Sequence, residues 1–181
     1  YTPSGSKIGQ MDFPTPSDMN PEPYCSAFPV AGNDYPNIAI HSNVETPQRG
    51  VEPGKDEHYV SLYDGKSFEE IWRTKVYESE LGESNSGCVN GPPMSITMDT
   101  QWIVLNGSTL GTGKYAGFVI NTVDGNVRPL DAEGFAAGDY VVTGTNPQND
   151  YSIVDPQTLQ VIRTEPYVNG GDKYGRLARY F

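Results

Sequence analysis

From Tyr59 onward the chain alternates short runs of β-branched, aromatic and aliphatic residues with clusters of Gly, Asn, Asp, Ser and Pro. That texture predicts strands of four to seven residues at Tyr59–Tyr63, Ser95–Met98, Trp102–Leu105, Gly117–Val123, Tyr140–Thr143, Tyr151–Val154 and Leu159–Thr164. Asn106-Gly107 after WIVL and Asp124-Gly125 after FVINTV accept positive φ at low cost, so both pairs predict two-residue hairpin turns. LGTGKYAG reads as a further hairpin connection, because Lys114 is followed by Tyr115 and the phosphate-loop spacing is not met. Helical periodicity is confined to Ser67–Tyr77 and to Leu130–Ala137. Gly134 interrupts the second stretch, and the first is better read as part of a repeat.

The first 57 residues differ in texture. Nine of the fifteen prolines lie there, and each fixes φ and removes a donor, so neither helix nor central strand is expected. Phe13, Tyr24, Phe28, Tyr35, Ile38 and Ile40 supply apolar anchors that a solvated linker lacks. The division expected is therefore an extended Pro-rich arm over residues 1–57, lying across its own domain or a neighbour, and an antiparallel β domain over 58–181.

The repeat joins Ser61–Thr74 (SLYDGKSFEEIWRT) to Ser152–Thr164 (SIVDPQTLQVIRT). In both, a strand meets an Asp-Gly/Pro-x-Ser/Thr turn and a second strand ending in Arg-Thr, at an offset of 91 residues from Asp64 to Asp155. The Asp is expected to cap the turn's amides and the hydroxyl residue three positions on to close it. Gly117–Arg128 is a looser third copy. These hairpins resemble those of secreted β-propellers of the YVTN and quinoprotein type, whose blades carry a strand, a D-x-x-T turn and a second strand. The resemblance implies blades of about 40–45 residues. Because the first 57 residues do not read as a blade, the fold expected is all-β, an antiparallel sandwich of short hairpins, with a small or incomplete propeller as the alternative.

Charge and cysteines narrow the setting. Lys and Arg number 12 against 23 Asp and Glu, a net charge of −11, which excludes counterion-release binding to nucleic acid. No apolar run approaches the roughly 20 residues of a membrane helix. The chain opens on Tyr1, as expected after removal of a secretory signal. Cys25 and Cys88 sit in loop-like settings, and a disulfide between them would stabilise by about 4 kcal/mol in the chain-entropy model. Both features predict an oxidising, extracellular or cell-surface location.

Chemistry is sparse. His41 and His58 are the only histidines, and C-x-x-C, H-E-x-x-H, C-x-x-C-H and G-x-S-x-G are all missing, so zinc, haem and nucleophilic-serine chemistry find no support. Asp56-Glu57-His58 reads as a solvated strand entrance. No cofactor is expected, with calcium as the one worth testing: Asp131, Glu133 and Asp139 form one group of loop oxygens, and Asp150 with Asp155 another. Asn106-Gly107-Ser108 is the one N-x-[ST] sequon, which makes Asn106 the glycosylation candidate. Trp72 and Trp102 are read as core. The excess of Tyr (12) over Phe (6) suits half-wet surfaces, and the chain ends on an apolar Tyr180-Phe181 tail.

Three functions fit. The first is a non-enzymatic structural or assembly subunit of a filament, surface layer or adhesive complex, self-associating or binding a protein partner through the arm and the tail. The second is a carbohydrate- or calcium-binding β module. The third is a subunit of a secreted propeller-like enzyme, which would need the histidines and carboxylates to converge.

Overall fold

A computed structural model describes residues 26–32, 34–46, 54–80, 94–108, 115–144 and 150–165. Among them there is no helix. Twelve strands form three four-stranded antiparallel sheets, each a simple up-and-down meander, and none closes into a barrel.

Sheet 1 comprises β1 (Ser26–Val30), β2 (Asn37–Thr46), β3 (Lys55–Tyr63) and β4 (Glu70–Glu80). Sheet 2 comprises β5 (Ser95–Ile96), β6 (Trp102–Ser108), β7 (Tyr115–Asn121) and β8 (Val127–Pro129). Sheet 3 comprises β9 (Gly134–Ala137), β10 (Tyr140–Thr143), β11 (Tyr151–Val154) and β12 (Val161–Glu165). The sheets stack face to face in chain order. Ala39, Val60, Leu62 and Tyr77 of sheet 1 pack against Ile103, Leu105, Phe118 and Ile120 of sheet 2. Val104 and Val119, on the opposite face of sheet 2, pack against Val141 and Val154 of sheet 3.

The layering explains the hydrophobic pattern. Sheet 2 is covered on both faces, so Trp102–Leu105 and Gly117–Ile120 are buried without interruption and show no alternation. In β3, whose outer face is polar, Asp56, His58, Val60 and Leu62 point to sheet 2 while Lys55, Glu57 and Tyr59 point away.

Several sequence expectations change. Both helical candidates are strand: Ser67–Tyr77 leads into β4, and Leu130–Ala137 contains β9. Of the expected arm, residues 1–25 lie outside the described residues, whereas 26–46 form two full strands of sheet 1. The 57/58 boundary falls inside β3. Proline does not forbid this, because Pro29 occupies the edge strand β1, opposite Ile38, where a missing donor costs little. Asn106-Gly107 is not a turn but the interior of β6, with Gly107 opposite Ala116 on β7. A Cβ on Gly107 would overlap the ring carbons of Tyr77, so the ring of sheet 1 rests where only glycine leaves room.

The repeat appears once in each sheet, always between the third and fourth strand. In sheet 1 the Phe68 amide donates to the Asp64 carbonyl (2.9 Å) and the Asp64 amide to the Glu69 carbonyl (2.9 Å). Sheet 3 repeats this with Leu159 to Asp155 (2.8 Å) and Asp155 to Gln160 (3.0 Å), and sheet 2 with Gly125 to Asn121 (2.9 Å) and Asn121 to Asn126 (3.0 Å). The position before the closing residue is left-handed in all three: φ is 61° at Phe68, 70° at Gly125 and 59° at Leu159. The third copy therefore registers on Asn121 rather than Asp124. Asp124-Gly125 closes a four-residue loop, not a two-residue hairpin.

Candidate functional site: a buried histidine pair and the turns that lock the stack

Two arrangements hold most of the polar chemistry of the described residues. The first lies on the inward face of sheet 1. Strand register places Asn43, His58 and Tyr77 side by side across β2, β3 and β4, with Asp56 opposite Ser79 one step further along. Alternation sends all five inward with His41, and all six are buried. His41 Nε2 lies 3.1 Å from His58 Nδ1, His58 stacks on Tyr77 at 4.1 Å between centroids, and Tyr77 stacks on Phe118 of sheet 2 at 5.3 Å.

Burial, and then the neighbouring His58 ring, pull His41 down to about 3; burial pulls His58 down to about 4. Both imidazoles are thus neutral at pH 7, and one ring N–H is shared between them. Whichever ring donates, one of the two outer nitrogens, His41 Nδ1 and His58 Nε2, bears a proton and the other a bare lone pair. Neither has a hydrogen-bond partner among the described residues, nor does Ser79 Oγ. Each such buried group costs about 1–3 kcal/mol. Burial, together with the Asp56 carboxylate, pushes the Tyr77 phenol above its ordinary value. The segment Asp56-Glu57-His58 is therefore not a solvated strand entrance: two of its three side chains are fully enclosed.

On the outer face of the same strands, Lys55 contacts Glu57 (3.1 Å) and Glu78 (3.3 Å), and Lys75 contacts Glu78 (2.6 Å) and Glu57 (3.4 Å). Tyr59 donates to Glu57 (2.9 Å) and lies beneath the Arg73 guanidinium. Burial raises the Glu57 carboxyl, but hydrogen bonds from Lys55 and Tyr59 outweigh it and bring the group to about 2.

The second arrangement is the set of turns. Asp64 Oδ1 accepts from the amides of Lys66 (2.9 Å) and Ser67 (2.7 Å), and Ser67 Oγ accepts from Glu69 (3.3 Å). Asp155 and Thr158 repeat every contact: Gln157 (2.7 Å) and Thr158 (3.3 Å) donate to Asp155, and Gln160 (3.3 Å) donates to Thr158. Asn121 takes the capping role in sheet 2, accepting from Val123 (2.7 Å). The turns also serve the stacking. Trp72 of β4 donates through Nε1 to the Thr122 carbonyl in the turn of sheet 2 (3.0 Å). Arg128 of β8 donates to the carbonyls of Pro156 and Gln157 in the turn of sheet 3, the latter at 2.5 Å, while its guanidinium lies over Trp102.

Asp155 caps its turn, Asp139 accepts from the Asp99 amide (3.1 Å), and Asp131 and Asp150 are exposed. Among the described residues no three His, Cys, Asp or Glu side chains gather as a metal would require. Cys25 and Cys88 lie outside the described residues. Asn106, expected in an exposed turn, instead grips Gly134 of sheet 3: its Nδ2 donates to the Gly134 carbonyl (2.8 Å) and its Oδ1 accepts the Gly134 amide (2.8 Å). Trp102 is core, as expected, whereas Trp72 is half-buried and bridges two sheets. The histidine pairing was invisible in sequence because β2 was not read as a strand. The bridging role of Arg128 had a legible trace, since GFVINTVDGNVR ends on it. A comparison with protein-family models, with curated proteins and with solved structures returned no match.

Proposed function

We propose that this chain is a non-enzymatic assembly subunit that builds an extracellular or cell-surface structure by self-association. The observation that carries this reading is β12. Among the described residues it is an edge strand of sheet 3, and Val161 and Ile162, at the bulge opposite Val154 and Ile153, are 57% and 56% exposed, with Arg163 and Thr164 beyond them exposed as well. A strand exposed on both faces and along one edge is suited to receive a neighbour, since main-chain donors and acceptors supply affinity and the flanking side chains supply selectivity. The buried His41–His58 pair supports the same reading from the other side: the chain's two imidazoles are enclosed between sheets, where no substrate reaches them.

Light scattering of the full chain over a range of concentrations tests the proposal. The average mass is expected to rise with concentration and to fall when Val161 and Ile162 are both replaced by Lys. A mass that stays at one chain throughout overturns it. Thiol labelling without reductant is expected to modify neither Cys25 nor Cys88; labelling of both removes the support for an oxidising location.

A further inference from the structure

The two exposed apolar residues of β12 belong to a wider pattern. Because the strands alternate in direction, the links 31–36, 64–69, 97–101, 122–126, 138–139 and 155–160 all fall at one end of the stack. Hydrogen bonds between sheets knit them together. The Ala31 amide donates to Thr100 Oγ1 (3.2 Å), the Thr122 hydroxyl to the Thr100 carbonyl (3.0 Å), and the Met98 amide to the Gly138 carbonyl (2.8 Å). Among the described residues, all seven large apolar side chains left exposed lie in these links or on the first two residues of a strand leaving one. Met98 is 84% exposed and Val123 79%, and Tyr35 and Tyr140 are exposed with them. Every link also carries an Asp, whereas Lys66 is the one cation within the six. Arg128 reaches in from β8, but its guanidinium is taken up by the Pro156 and Gln157 carbonyls. An exposed apolar surface interspersed with charge of one sign suits a partner that is both cationic and apolar.

The chain itself carries such a partner. Lys173–Phe181 (KYGRLARYF), which lies outside the described residues, holds three cations, three aromatic residues and Leu177. It is the one place in the sequence where three cations follow one another with no acid between them. β12 runs from the 155–160 link to Glu165, so the chain beyond Glu165 departs from the end of the stack opposite the linked turns. We propose that Lys173–Phe181 of one copy docks on the linked-turn end of the next, with its aromatic residues and Leu177 against Met98, Val123 and Tyr140 and its cations among the Asp side chains. This deepens the assembly reading and rests on it. The segment and the surface are different parts of the two copies. The contact is therefore heterologous, leaves one segment and one surface free, and propagates a linear array.

Light scattering of the full chain and a fluorescent peptide of sequence KYGRLARYF test this. One variant replaces Lys173, Arg176 and Arg179 with Glu. The other replaces Met98 and Val123 with Lys, at positions exposed enough for the fold to accept the change. Each alone is expected to need about tenfold higher concentration to assemble than wild type, a factor worth about 1.4 kcal/mol. An equal mixture is expected to associate again, at least into pairs, because the second variant brings an intact segment and the first an intact surface. Recovery on mixing also shows that both are folded. The peptide should bind the first variant and bind the second about tenfold more weakly. Replacing Tyr174, Leu177, Tyr180 and Phe181 of the peptide with Ser should abolish binding, which separates docking from general attraction to a chain of net charge −11. Suppose wild type assembles but either variant alone matches it, the mixture does not recover, or the peptide binds both variants equally. The contact is then overturned while the assembly reading stands. If wild type stays monomeric, both fall.

Discussion

His41 Nε2 on β2 lies 3.1 Å from His58 Nδ1 on β3, and both rings are enclosed between sheets 1 and 2. Their folded values are drawn down from 6.5 to about 3 and about 4. Because the unfolded chain binds protons that the folded chain refuses, stability is full above pH 6.5 and declines as pH falls towards 4. Two groups with such shifts give a loss on the order of 5 kcal/mol across that interval. Denaturant unfolding at pH 7, 6, 5 and 4.5 measures it, and stopping at 4.5 keeps Glu57 ionised in its contacts with Lys55 and Lys75. Replacing both histidines with Leu should flatten the profile; a wild-type midpoint constant over this range contradicts the assignment.

Tyr77 and Gly107 form a second contact that a single substitution tests. Alanine at 107 would drive a methyl into the phenol ring, and the ring is held between His58 and Phe118, so it cannot swing aside freely. Gly107→Ala is expected to cost about 1–3 kcal/mol. With Tyr77→Leu already in place, the same change should cost much less, and a double-mutant cycle reads the difference as coupling. Additive effects would show that the ring does not restrict position 107.

The three turns share a left-handed position occupied by Phe68, Gly125 and Leu159. A bulky residue there carries about 1–2 kcal/mol of backbone strain that glycine avoids. Phe68→Gly is expected to stabilise, since Phe68 is only half-buried, whereas Gly125→Ala should destabilise because its Cβ would also meet Trp72 and Thr74 below 3 Å. Opposite signs for the two substitutions in thermal unfolding are the outcome sought. Equal signs would mean that local packing, not φ, governs the position.

The turn repeat was legible in sequence because it depends on local chemistry, an Asp cap and a hydroxyl three residues later, and Asp64 and Asp155 accept from the same two turn amides. Its sheet 2 copy matched only loosely because Asn121 stands where the other two carry Asp, and Asp124 stands where they carry Ser67 and Thr158. β6 and β7 of sheet 2 were found as largely apolar runs, yet what covers both their faces is a tertiary fact that no run discloses. β1 and β2 were missed because Pro29 and Pro36 argued against a sheet, whereas the first lies on the edge strand β1 and the second comes just before β2 begins. The histidine pair followed them out of view, since alignment of His41 with His58 requires β2 to exist. Arg128 and Trp72 could be placed on fourth strands, but their acceptors are main-chain carbonyls, which carry no residue signature.

Asn106 offers a last test, because one side chain there has two competing roles. As a sequon it could receive a glycan on Nδ2, but the same nitrogen donates to the Gly134 carbonyl while Oδ1 accepts the Gly134 amide. Asn106→Asp keeps the shape and one acceptor, removes the donor and leaves a carboxylate facing a carbonyl oxygen. A loss of about 1–3 kcal/mol is expected, with β6 and β9 losing hydrogen-exchange protection together. Asn106→Ser, which also abolishes the sequon, should be similarly costly, so the penalty follows the Gly134 contact and not the sugar. When the chain is secreted from a host that glycosylates, its mass should be unchanged by endoglycosidase treatment. A mass shift mapped to Asn106 in folded protein would show that β6 and β9 do not form this pair.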